Sequence, residues 1–412
     1  MNRLELNIHK FLEGSPKTRN FIKLAYQSLL YFIPRKNTAS FTIDVKHGYF
    51  FGFHTVSPWS YNNKYLLTHH FSEINRERQS GKGHKITIGV FYGERFEHFK
   101  PLAVSSAYNW QQGAMAQWLG SNEVIIFNDI ISNSACAKLV DIEGKLLSTF
   151  KYPVASTSPL GDKYISYSYN CLGKGMPGYG YDNITDNDDS GKLLEVDIET
   201  GAARTLINVN ELIELNYTDI EKSFKDYFHF ISHCIYSPTG SNLTFFLRAR
   251  GKSTDLSTFV YCVCLKYGHV KKLPLGEYIS HYSWISDEEL ILYCDDLSGR
   301  RGYHIVNVTE SKVYKLNLTG SENPLGDGHP QVFHGTENFV TDTYPDRFRV
   351  QRLYKSNCRT GDTREIVAFK IPYKFRDEYR CDFHPRWDRS GKMISFDSAH
   401  EGTRSHCILY LE

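Results

Sequence analysis

His233, Arg248, His281 and Tyr282 are the residues whose types and spacing point most directly to chemistry. An imidazole accepts a proton, a phenol donates one, and a guanidinium neutralises a carboxylate. Together they could remove the proton α to a uronate carboxyl group and expel the 4-linked sugar. His233 stands just before the strand-like segment CIYSP, and Arg248 ends the next segment. His281-Tyr282 precedes the matching segment one unit later, so all four can meet at one end of neighbouring units. The competing reading of each is a satisfied structural residue.

A second set suggests a metal. His329 (DGHP), Asp342 (TDTYPD), Cys381 and His384 (CDFHP) lie at the starts or ends of adjacent segments. Two imidazoles, a thiolate and a carboxylate would close a tetrahedral zinc site, structural because no position stays open. Separate buried polar residues are the alternative. Sugar-binding candidates follow. Asn109, Trp110, Gln111 and Gln112 (in NWQQG) put amides beside a flat apolar ring, which suits hydroxyls and C–H faces. Asn128 ends the next strand-like segment. Tyr179 and Tyr181 flank glycines in an insertion over 170–190, and His54 joins them from the first unit. A polar loop with packed aromatics is the plainer account of the first and third groups.

These residues need a scaffold, and the sequence repeats one. A turn rich in Ser, Pro, Gly, Asn or Asp precedes an alternating strand seven times, from Ser57, Gln117, Ser158, Ser237, Trp284, Phe333 and Asp388. Most copies are roughly 40–60 residues apart, the spacing of propeller blades. The pattern predicts an all-β fold, a seven-bladed β-propeller over 41–412, closed between early and late parts of the chain. Residues 1–40 are expected to form a helical extension, with further helix only around Glu211 to Phe228. Within it, residues 17–36 form a basic amphipathic stretch that either docks on the propeller or lies on a membrane surface.

Composition agrees. With 412 residues, 41% of them hydrophobic, the chain can bury a large core, which excludes a disordered protein. Aromatic residues make up 14% against only 4 Met, which favours strands. A net charge of +2 argues against a nucleic-acid partner. No apolar run approaches the about 18 residues of a membrane span. Nine scattered cysteines read as free thiols, and the first residues lack a signal-peptide pattern, so a cytoplasmic or membrane-peripheral location is expected.

Taken in order, FFGFHTVSPWS, NWQQGAMAQWL, PGYGY, SHCIYSP, SHYSWISDEE, DGHP, TDTYPD and CDFHPRWDRSGK resemble the seven-bladed propeller polysaccharide lyases of the ulvan-lyase type. Relatives of these lie near bacterial polysaccharide gene clusters. The resemblance runs from about Tyr49 to the last residues. It implies β-elimination of a uronate-containing acidic polysaccharide or oligosaccharide at the channel mouth, and a structural zinc. It implies that Arg248 neutralises charge, that Tyr282 is the phenolic acid, and that His329, Asp342, Cys381 and His384 hold the zinc. The family's histidine pair, expected near NWQQG and FND, is replaced here by Asn109, Trp110, Asn128 and Asp129. The base then passes to His233 or His281, or the chain is a non-catalytic glycan-binding or capsule-assembly propeller. A protein-interaction propeller would instead predict a varied rim.

Overall fold

The computed structural model describes residues 22, 27–71, 84–181, 184–185, 191–216, 227–251, 256–320 and 326–412. They form seven antiparallel sheets, one per blade, of a single β-propeller. Blades one to five span Tyr49–Ser105, Gln117–Phe150, Ser156–Asn208, Phe228–Lys272 and Ile279–Lys315. Blade six runs from Gln331 to Lys370 and gains Thr38–Ala39 as an outermost fifth strand. In blade seven, strands Arg386–Trp387, Met393–Ser398 and Ser405–Tyr410 are completed on the outside by Thr42–His47. Val45 lies opposite Cys407 in that ladder, so an early strand closes the ring against a late one.

The repeated motif is the turn between the inner strand and the second strand of a blade. At Ser158, Ser237 and Asp388 a side-chain oxygen accepts backbone N–H groups from across the turn: Gly161 and Lys163, then Asn242, then Met393. Gly161 and Gly240 have φ of +73° and +79°, a conformation that costs L side chains energy. Central strands such as Asn242–Arg250 are buried along nearly their whole length, because blades pack face to face. Their aromatic and β-branched residues fill those interfaces.

Inner strands are interrupted at similar levels. In blade four the register shifts between Ser232 and Ile235, and in blade five between Ile279 and Tyr282. In blade one the inner segment pairs at Phe50 and again at Trp59, leaving His54 between. In blades six and seven the short inner strands begin two residues after His329 and His384. Such breaks release a side chain from the alternating pattern and re-aim it. His233 and His384 take positive φ (+53° and +45°), uncommon for non-glycine residues and frequent where function demands strain.

Blade seven is tied to blade one by a buried pair. Asp397 accepts from the backbone N–H of Phe51 (2.8 Å) and Gly52 (2.7 Å), and lies 3.6 Å from Arg386. Arg386 in turn donates to the carbonyls of Gly52 and Phe53. Helix occurs at 27–31, Tyr169–Gly175 and Val209–Asn216. The second of these was not expected: YNCLGKG has weak helix propensity, and the Ser168 hydroxyl caps it by accepting from Cys171 N–H. Of the expected second helix, 217–226 lies outside the described residues. So do 17–21 and 23–26 of the basic stretch, and 182–183 and 186–190 of the insertion. The described part of the basic stretch docks on blade six and the loops around it. Gln27 donates to Asp346 O, Ser28 to Tyr373 Oη, and Arg35 covers the Phe348 ring. Leu29 and Phe32 point outward.

Replacing Asp397 with Ala should cost about 3–5 kcal/mol of stability, since Arg386 stays buried without its counter-charge. Urea denaturation measures this, and a loss below about 1 kcal/mol would show the pair to be dispensable.

Candidate active site and metal centre

Five of the inner-strand breaks each deliver a histidine to the channel: His54, His233, His281, His329 and His384. Their rings form one cluster. His281 and His329 centroids are 4.0 Å apart, His329 and His384 4.2 Å, His54 and His329 5.0 Å, and His233 and His281 5.9 Å. All five are buried. Burial, with the neighbouring imidazoles, lowers the proton affinity of His54 and His384; for His233 the Arg248 guanidinium adds to it. His281 is pushed down to about 4 by burial and His329. Only His329 moves upward: burial opposes this, but Asp342, then Asp382 and Asp327, outweigh it.

Hydrogen bonds settle which nitrogens carry protons. Asp342 Oδ1 accepts from His329 Nδ1 at 2.8 Å, and the Gly52 carbonyl accepts from His384 Nδ1 at 2.6 Å. Neither acceptor can donate, so each ring, when neutral, presents its Nε2 lone pair to the cluster. Asp382 closes a group with them whose ligand atoms lie within 4.8 Å of one another. A second such group is His54, His233 and His281. Among the described residues, His329 Nε2, Asp382 Oδ1 and both ring nitrogens of His54 and His233 are buried without a hydrogen-bond partner. Buried polar atoms left unpaired are costly, so the donor set fits a divalent cation.

The expected zinc set is therefore only partly assembled. Cys381 packs into the apolar core between blades, where burial pushes its thiol up to about 12. Asp342 is also not placed to ligate with the others. It holds the Nδ1 side of His329, opposite Nε2, while its second oxygen accepts from His384 N–H at 3.0 Å. It orients both histidines instead. Asp382 stands where Cys381 was expected, one residue along in the same motif.

Arg248 reaches the cluster as expected, beside His233. It is 5% exposed, donates only to Met176 Sδ, and has no carboxylate partner among the described residues. Tyr282 does not face the cluster. Its hydroxyl donates toward the carbonyls of His233 and Thr244, so it pins the break that carries His233. A phenol that does face the site is Tyr179, whose oxygen accepts from Arg380 Nη2 at 2.8 Å. Arg380 is held by Asp382, 2.7 Å away. Tyr344 packs on His329, and Asp327 accepts from Ser280 and reaches His281 Nδ1 at 3.5 Å. Partly exposed Tyr344, Arg380 and Asp327 form the rim. Reading the sequence missed these three and Asp382, although each lies within or beside DGHP, TDTYPD or CDFHP.

The amide cluster has another task. Asn109 accepts from Gln111 and Gln112 N–H and donates to Gly180 O; Gln111 donates to the carbonyls of Glu378 and Arg380. Asn128 is spent on Val154 and on Tyr181, whose ring stacks on Tyr169. Trp110 packs among Phe50, Phe71 and Tyr379. Asn109, Trp110, Gln111, Asn128 and Tyr181 are thus buried supports of the site wall, and Gln112, with Asn109 and Gly180 on its carbonyl, joins them.

No family model matches the chain, and no curated protein matches its sequence. Solved structures do match in fold. An oligogalacturonate lyase in complex with manganese superposes with a TM-score of 0.62 at 12% identity, over 92% of this chain and 98% of that one. The oligogalacturonate lyase of Vibrio parahaemolyticus gives 0.60 at 13% identity, over 92% and 96%. At such identities the likeness is one of fold.

The centre makes its own forecast. Metal-free protein dialysed against Mn(II) should bind it, and Asp382→Asn or His384→Gln should lower the affinity by roughly 10–100-fold or more. Cys381→Ser should leave it unchanged. Metal analysis in which Cys381→Ser alone abolishes binding would reinstate the thiolate as a ligand.

Proposed function

We propose that this chain is a lyase that cleaves an acidic, uronate-containing oligo- or polysaccharide by β-elimination at the channel mouth. One observation carries the reading: Arg248 is buried against an imidazole cluster and has no carboxylate partner among the described residues. A guanidinium in that setting calls for an anionic group from outside, and its planar fork suits a carboxylate. The shared fold with oligogalacturonate lyases, one of them in complex with manganese, and the motif likeness to the ulvan-lyase type both support a uronate substrate.

Arg248 would pair with the substrate carboxylate and stabilise the charge that develops as the C5–H bond breaks. A neutral His233 or His281 would take that proton; both are kept unprotonated by burial. The electrons form the C4–C5 double bond and the C4–O bond breaks. Tyr179, rather than Tyr282, would donate the proton to the leaving oxygen, because Arg380 occupies its lone pair and leaves its O–H available. His329, Asp382 and His384 would hold a divalent cation, manganese or zinc, which supplies Lewis-acid stabilisation of negative charge.

With Mn(II) present, uronate polymers and oligomers should yield an unsaturated product detectable by ultraviolet absorbance. Arg248→Ala should lower kcat/KM by roughly 10²–10³-fold. Tyr179→Phe should lower kcat by about 10²-fold with KM little changed, whereas Tyr282→Phe should act mainly on stability. If the protein binds such a glycan yet releases no unsaturated product, the glycan-binding alternative replaces this one.

A further inference from the structure

We propose that His54, His233 and His281 form a second divalent-cation site, distinct in its ligands from His329, Asp382 and His384 and sharing a wall with it. The three rings come from blades one, four and five, and their ligand nitrogens lie within 4.8 Å of one another. His54 and His233 are each 1% exposed, and among the described residues neither ring has a partner at either nitrogen. A hydrogen-bonded imidazole cluster would pair ring N–H with a ring lone pair, and no such bond joins these rings. His281 is poised as a ligand. Ser280 Oγ donates to Asp327 at 2.6 Å and so accepts from His281 Nδ1 at 2.8 Å, which leaves His281 Nε2 as a lone pair. His233 is held in its left-handed backbone state by Tyr282, whose hydroxyl grips its carbonyl. A strained, clamped, unpaired imidazole is arranged for a ligand from outside.

The two groups differ in chemistry. Two imidazoles and a carboxylate accept manganese, iron or zinc. Three imidazoles with no oxygen favour zinc, cobalt, nickel or copper over manganese, and leave a coordination position open. His281 and His329, in ring contact, form the shared wall. A corollary rests on the lyase reading. The lone pairs that would ligate the second cation are those that would take the substrate proton, and one nitrogen cannot do both. Filling this site should therefore stop the reaction.

Equilibrium dialysis of metal-free protein with metal analysis tests the site without reference to turnover. Zn(II) should bind at two per chain and Mn(II) at one. His54→Gln and His233→Gln should each lower zinc to one and leave manganese at one, whereas Asp382→Asn should remove manganese. Thermal melts verify that each variant folds. Should a variant fail to fold, titration of the unaltered protein with Co(II) decides, because a second equivalent must produce its own visible absorption. A single zinc per chain that survives His54→Gln, or two that survive it, overturns the proposal and leaves the lyase reading intact. Two zinc ions of which His54→Gln removes one, in a protein that yields no unsaturated product, would uphold the site and sink the lyase reading. If both hold, excess Zn(II) should lower turnover of the manganese-loaded enzyme at least about tenfold.

Discussion

The Asp342 carboxylate, wholly buried, accepts hydrogen bonds from the backbone N–H and Nδ1–H of His329 and from the backbone N–H of His384. Those contacts come from segments entering two different blades, so one side chain sets the spacing of two inner strands and the tautomer of an imidazole. The chain makes room for it: a Cβ on Gly328 would lie 1.8 Å from the Asp342 carbonyl oxygen, a position only glycine can fill. Everything proposed for the metal centre depends on this arrangement, because a histidine ligand is only as well aimed as the group behind it.

The same division of labour runs around the channel. Residues that could bind a ligand surround an opening, and residues of similar chemistry behind them are spent on holding the wall. The amides of Asn109, Gln111 and Asn128 satisfy carbonyls and N–H groups of loops that no sheet ladder reaches. Tyr282 clamps His233, and Arg386 with Asp397 clamps the turn that leads to His54. Polar networks of this kind rigidify a site when each member is paired. Among the described residues, His54, His233, His329, Asp382 and Arg248 at the channel each keep a buried polar atom without a partner.

Blade number and closure were legible because the turn chemistry repeats: a turn rich in Ser, Pro, Gly, Asn or Asp, then alternating residues, seven times. The histidines were legible as candidates for a related reason, since each stands a few residues before such a turn. Their grouping was not. The sequence reading split them into a base set, a zinc set and, in His54, a sugar-binding candidate, because spacing along one strand says nothing of which rings meet across a ring of blades. Cys381 and Asp382 show the limit: adjacent residues point to opposite sides, and only the break before Arg386 decides which one reaches the channel. Trp110 misled for the opposite reason, as a large aromatic beside amides is equally at home in a core.

Ring closure gives the site an order of assembly. The strand Thr42–His47 is made early, yet its partner Ser405–Tyr410 is made late. Through most of synthesis the early strand is an open edge, the kind that recruits other chains. His54, in the first blade, likewise waits for His384 in the last. A chain stalled within blade seven would carry nearly every candidate ligand and still lack a formed centre, so metal uptake would report that translation had run through to the closing hairpin.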